Sequence, residues 1–105
     1  MGAWAAFDNG RSIGKASAEG GVILRDDEHE MGARITLKRG VKHFSISCNI
    51  YGKMDHTRFF KTISEAEREY NPMKKELGKI VDNINETKDQ IQMWIAISEF
   101  VRRFE

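Results

Sequence analysis

The residue types best suited to chemistry cluster in a few places along the chain. The run Asp26-Asp27-Glu28-His29-Glu30 sets carboxylates beside one imidazole. These are metal-ligand types, but the spacing matches neither the Asp-x-Asp-x-Asp-Gly of a calcium loop nor the His-Glu-x-x-His of a zinc helix. It reads as a solvated acidic loop, and no metal or other cofactor is expected. The stretch Gly10-Arg11-Ser12-Ile13-Gly14-Lys15-Ala16-Ser17 brushes past a phosphate-binding loop. It has one residue too few between its glycines, and Ala16 stands where a magnesium-binding hydroxyl belongs. The lone Cys48 alternates with Ile46 and Ile50, the pattern of a buried, unreactive thiol. His29, His43 and His56 fall in three different segments. No base and orienting acid converge on a nucleophile, so no catalytic residue is assigned and an enzyme is the least favoured reading.

Composition narrows the remaining classes. A chain of 105 residues has room for a single domain with one core, and its 17 basic and 16 acidic residues leave a net charge of +1. That balance removes the global electrostatic argument for nucleic acid or an anionic membrane as partner. The longest apolar run is far short of the roughly 18 residues that span a bilayer. No basic segment precedes an apolar one as in a signal peptide, and Ala6 stands where a myristoylation motif wants Ser or Thr. With one buried thiol, a reducing compartment is expected, the cytoplasm by default.

The elements that would position these residues follow from the spacing of apolar side chains. Residues 1–20 read as loop or weak hairpin, with a turn at Asp8-Asn9-Gly10 and a short strand at Trp4–Phe7 that could pair with Arg11–Lys15. Residues 21–62 have period two. Val22–Arg25 is one strand. Met31, Ala33, Ile35 and Leu37 define a second, and Phe44, Ile46, Cys48 and Ile50 a third. A hairpin tipped at Arg39-Gly40 sets Ile35 opposite Phe44 and Ala33 opposite Ile46. A two-residue turn at Gly52-Lys53 then sets Ile46 opposite Phe59 and Ser47 opposite Arg58. In that register Arg34, Ser45, Ser47, Asn49, His56 and Arg58 share the polar face. Two guanidiniums among hydroxyls and an amide could hold a carboxylate, a phosphate or a peptide side chain.

Residues 64–104 read as a helical hairpin. Ser64-Glu65-Ala66-Glu67 has the form of a capping box, and Ala66, Tyr70, Met73, Leu77, Ile80 and Ile84 recur at helical spacing. Pro72 kinks this helix or starts it anew, so a helix over Asn71–Asn83 is expected with a looser turn before it. A second box at Thr87–Gln90 opens the last helix. Its apolar residues cover roughly 220° of the helical wheel, against roughly 100° for an ordinary surface helix. One sheet and one neighbouring helix leave much of that face bare.

The fold class is therefore α+β: an antiparallel meander of about four strands followed by two helices packed on one face. The expected core includes Met31, Ala33, Ile35, Leu37, Phe44, Ile46, Cys48, Phe59, Tyr70, Leu77, Ile80, Ile84, Ile91 and Trp94. The functional expectation is a small non-catalytic interaction protein, homodimeric through Trp94, Ile97, Phe100, Val101 and Phe104. Another protein is an alternative partner, nucleic acid is disfavoured and no membrane is involved. The alternative function is a small-anion or single-strand nucleic-acid module on the polar sheet face.

Overall fold

A computed structural model describes residues 3–17, 20–86 and 89–105. Five strands, β1 (Trp4–Ala6), β2 (Val22–His29), β3 (Ala33–Arg39), β4 (Phe44–Ile50) and β5 (Met54–Phe60), precede two helices, α1 (Ile63–Glu86) and α2 (Gln90–Arg103). The strands form one antiparallel sheet in sequence order, so the fold is the α+β meander with two C-terminal helices; the sheet has five strands rather than four.

The extra strand is β1. It pairs with the far end of β2, Trp4 opposite His29 and Ala6 opposite Asp27, rather than with Arg11–Lys15. The chain leaves β1 through a tight turn in which Asp8, Asn9 and Gly10 all have positive φ, which Asn, Asp and Gly tolerate best. It then returns to the start of β2, where Gly14 N–H donates to the Ile23 carbonyl and Ile23 N–H to the Lys15 carbonyl.

The acidic run is a strand, not a loop. Asp26, Asp27, Glu28 and His29 belong to β2. A strand sends alternate side chains to opposite faces, so the run divides. Asp27 and His29 point at the helices, where Asp27 accepts from the Tyr70 hydroxyl at 2.7 Å. His29 is 2% exposed, accepts from Met31 N–H at Nδ1 and lies 3.6 Å from the Asp82 carboxylate at Nε2. Each of these groups enters the interior with a polar partner, the condition under which charge can be buried at all.

Turn length sets the register of the other strands. Ile35 pairs with Cys48 and Leu37 with Ile46, a slip of the expected β3–β4 pairing by an even number of residues that leaves every side chain on its expected face. The β4–β5 loop has one residue more than expected: Tyr51, Gly52 and Lys53 connect Ile50 to Met54, with Gly52 at φ +77° and Lys53 N–H bonded to the Ile50 carbonyl. Ile46 therefore opposes Arg58, and Cys48 opposes His56. A one-residue change inverts a strand. Phe60, at 6% exposure, enters the core and Phe59, at 63%, faces out.

Helix α1 starts earlier than expected. Thr62 is its cap, accepting from Glu65 N–H and donating its hydroxyl to Glu65 Oε1, so the box lies two residues before Ser64. The helix runs through Pro72, which is exposed, so the carbonyl it leaves unbonded can reach water. Asp89 caps α2, its carboxylate accepting from Ile91 and Gln92 N–H; the Thr87 box lies outside the described residues. Ala33, Ile35, Leu37, Ile46, Cys48 and Ile50 pack against Ala66, Tyr70, Met73, Leu77, Ile80 and Val81, with Ile97, Phe100 and Phe104 of α2 completing the core. Phe44 and Ile84 are only partly buried. Met31, Phe59, Ile91 and Trp94, expected inside, are exposed: Met31 sits in the β2–β3 turn, Phe59 is turned out by the register, and Ile91 and Trp94 lie on the outer side of α2. Among the described residues, no helix is long and apolar enough to cross a membrane.

Candidate functional site

The helix-free face of the sheet holds four of the six polar residues expected to share a site. Arg34, Ser45, Ser47 and Asn49 lie on it; His56 and Arg58 are on the opposite face. There His56 Nε2 donates to the Phe104 carbonyl at 2.8 Å, with its ring edge-on to Phe100. Arg58 pairs with Glu69 of α1 at 2.7 Å and lies over the rings of Phe60 and Phe104. Both residues fasten the helices to β5.

On the open face, Arg34 is engaged by its own chain. Its Nε and Nη2 donate to the two oxygens of Asp26 at 2.9 and 2.7 Å. The same carboxylate accepts from Ser12 Oγ at 2.8 Å and Thr36 Oγ1 at 3.1 Å. The Asp26 side chain is 0% exposed against 28% for Arg34. Hydrogen bonding to Asp26 raises the Arg34 pKa above its ordinary value. The guanidinium stacks on Phe7 at 3.6 Å, so Phe7 and Ser12 bring the segment after β1 over this half of the sheet. Asn49 donates to Asp55, and the hydroxyls of Ser47 and Thr57 lie 3.2 Å apart.

Among the described residues, the other half of the face is open. Cross-strand pairing places Lys38, Ser45 and Phe59 in one row across β3, β4 and β5. Beside them opens a cavity of about 340 Å³ that Thr57, His43 and Gly21 also line. Lys38 is only 8% exposed there, and the His43 ring stands edge-on to Phe59 at 4.7 Å. The sequence offered a cue to Lys38 and Ser45 in their alternation; Thr57 and Phe59 were hidden by the register.

The five residues expected at a homodimer contact also divide. Ile97, Phe100 and Phe104 are 6%, 3% and 3% exposed within one chain and Val101 is half-buried, whereas Trp94 is 49% exposed. Trp94 shares an outward patch with Ile91, Ile95, Ser98, Glu99 and Arg102. The N-terminal strand leaves this patch uncovered, because Trp4 packs on His29 and against Gly78 of α1.

Cys48 is buried, and loss of water pushes its thiol pKa up to about 12, far from a reactive thiolate. Burial first, and a hydrogen bond to Glu28 second, raise Tyr51 to about 12 as well. Among the described residues, no group of three His, Cys, Asp or Glu side chains could hold a metal ion. In comparisons with protein-family models, curated proteins and solved structures, the chain matches none.

Proposed function

We propose that the protein is a small non-catalytic interaction module that associates with a second copy of itself through the outer side of α2. The observation that carries this reading is the stripe formed by Ile91, Trp94 and Ile95, which are 72%, 49% and 46% exposed. Ser98 and Arg102 continue it along one side of the helix.

Charge favours a second copy over an unrelated surface. Asp89 stands at the start of α2 and Arg102 and Arg103 at its end, about 20 Å apart at 1.5 Å per residue. Two such helices laid antiparallel about a twofold axis bring each acidic start to the other's basic end. The helix dipoles then also oppose. Setting Trp94 over the Ser98 of the second copy leaves room for the indole above the small serine.

Full burial of an apolar side chain of this class contributes about 1.5–3 kcal/mol. Scaled by the exposed fractions, the stripe supplies about 2.5–5 kcal/mol per copy and about twice that per pair. Association costs about 4–15 kcal/mol in lost freedom. The balance supports a weak, concentration-dependent pair, not an obligate dimer.

Sedimentation equilibrium from about 10 μM to 1 mM tests this. The mass should rise from 12.1 kDa toward twice that value. Trp94→Ser should weaken pairing about 10–150-fold without loss of helicity. A wild-type mass of one chain throughout the range refutes the proposal.

A further inference from the structure

Strand β5 ends the sheet on one side, and it pairs with β4 alone. Among the described residues, no backbone group of a loop or helix bonds to the main chain of Met54–Phe60. A row of unpaired N–H and C=O groups is a template for another strand, and sheets guard such edges by shortness, proline, bulges or inward charge. The opposite edge is short, since β1 has three residues. Strand β5 has seven, no proline, and a register with β4 that runs unbroken from Met54 to Phe60. Its inward charge, Arg58, is neutralised by Glu69 at 2.7 Å.

Helix α2 stands over this margin. His56 of β5 donates to the Phe104 carbonyl and meets the Phe100 ring, and Arg58 lies over Phe104. Helix α1 reaches across to the far strands, where Tyr70 bonds Asp27 and Gly78 lies against Trp4. Ala96, Glu99 and Arg103 line the groove between the two helices. Trp94 precedes Ala96 by two residues, about 200° around the helix at 3.6 residues per turn. The indole therefore points away from α1, toward the side on which the sheet ends at β5. The exposed stripe of α2 and the bare edge share one flank of the molecule.

We infer that the second copy also lays its β5 antiparallel along this edge, so that the two five-stranded sheets become one. The inference rests on the α2 reading above and extends that contact from side chains to backbone. Strands in a sheet lie about 4.8 Å apart and packed helices about 8–10 Å, so helices that stand over their own β5 meet when the strands pair. Charge sets the register. With Arg58 opposite its own copy, Asp55 faces Lys61 and Thr57 faces Phe59, of which Asp55, Phe59 and Lys61 are exposed. Two opposite-charge pairs and two pairs of an aromatic with a β-branched residue then form on the open face. Centring the pair on Thr57 sets Lys53 opposite Lys61 instead, a like-charge pair.

The experiment is hydrogen exchange of the full chain, read by mass spectrometry at about 10 μM and about 1 mM beside the sedimentation run. Segments covering Met54–Phe60 should exchange more slowly at the higher concentration, and segments covering Ala33–Arg39 at an unchanged rate. Lys61→Glu removes both opposite-charge pairs and should weaken pairing about 2–30-fold. Asp55→Lys should do the same, and the double variant should restore pairing. A doubled mass with β5 exchange unchanged, or pairing indifferent to the charge reversals, overturns the inference and leaves the α2 contact standing. Slower β5 exchange with Trp94→Ser pairing as tightly as wild type removes the α2 contact and keeps the strand pairing. A mass that climbs past two copies puts the two contacts in different pairings and overturns the inference, and a mass of one chain throughout removes both.

Discussion

Replacing Asp26 by Ala removes one acceptor that four hydrogen bonds share, from Ser12, Thr36 and two nitrogens of Arg34. Breaking a buried ion pair by deleting one partner costs about 3–5 kcal/mol, because the other charge is left without compensation. Here the carboxylate is fully buried but the guanidinium is 28% exposed, so Arg34 recovers part of its hydration and the lower figure applies. A loss of about 3 kcal/mol is a large part of the roughly 5–15 kcal/mol that holds a domain folded. Urea unfolding followed by tryptophan fluorescence measures it. With an m-value of about 1–3 kcal/mol/M, the midpoint should fall by about 1–3 M at constant m. Replacing both charges, Asp26→Leu with Arg34→Met, should recover most of the loss, since no charge is then stranded. Should Asp26→Ala cost less than about 1 kcal/mol, as exposed pairs do, the carboxylate is solvated and the cluster does not hold the segment around Phe7 and Ser12 to the sheet.

Three further outcomes follow from other contacts. The Cys48 thiol rises from 9.0 to about 12 on burial, so the folded state holds its proton more tightly. That contribution is whole below about pH 9 and falls by about 1.4 kcal/mol per pH unit as the pH climbs toward the folded value. Between about pH 9 and 10, Cys48→Ala should therefore show a flatter melting-temperature profile than wild type, and identical slopes would contradict a buried thiol. His56→Ala removes the donor to the Phe104 carbonyl, for about 1–3 kcal/mol; amide exchange should speed up at the end of α2 and not in β2. Gly21→Ala combines a φ of +81° with a 2.9 Å approach to Arg39 O. A stability loss of about 1–3 kcal/mol in chemical denaturation is expected, and a neutral result would mean that the β3–β4 loop moves freely.

Period-two alternation was enough to find β3 and β4 and to assign their faces, because Ile35, Leu37, Ile46 and Cys48 have no apolar neighbour that competes. It could not orient β5. Phe59 and Phe60 are adjacent, so either parity puts one phenylalanine in the core, and the decision falls to the loop, where Tyr51 joins Gly52 and Lys53. That single residue moved His56 and Arg58 off the candidate site and Phe59 onto the open face. The charged run in β2 misleads for another reason. Its carboxylates look solvated beside one another, yet their partners at Ser12, Arg34, Thr36, Tyr70 and Lys74 come from other elements. The wide apolar face of α2 was legible as a surplus, and α1 and the sheet absorb Ile97, Phe100 and Phe104 but not Trp94.

The strands lie side by side in the order in which a ribosome makes them. Each newly emerged strand can add to the edge of those before it, without any formed pair having to open, so the search for partners stays local and quick. The greasy underside of that growing ribbon, however, is roofed only by residues synthesised afterwards, from Ile63 onward. A nascent chain stalled just short of that point would display Ile35, Leu37, Ile46 and Cys48 to solvent or to a chaperone.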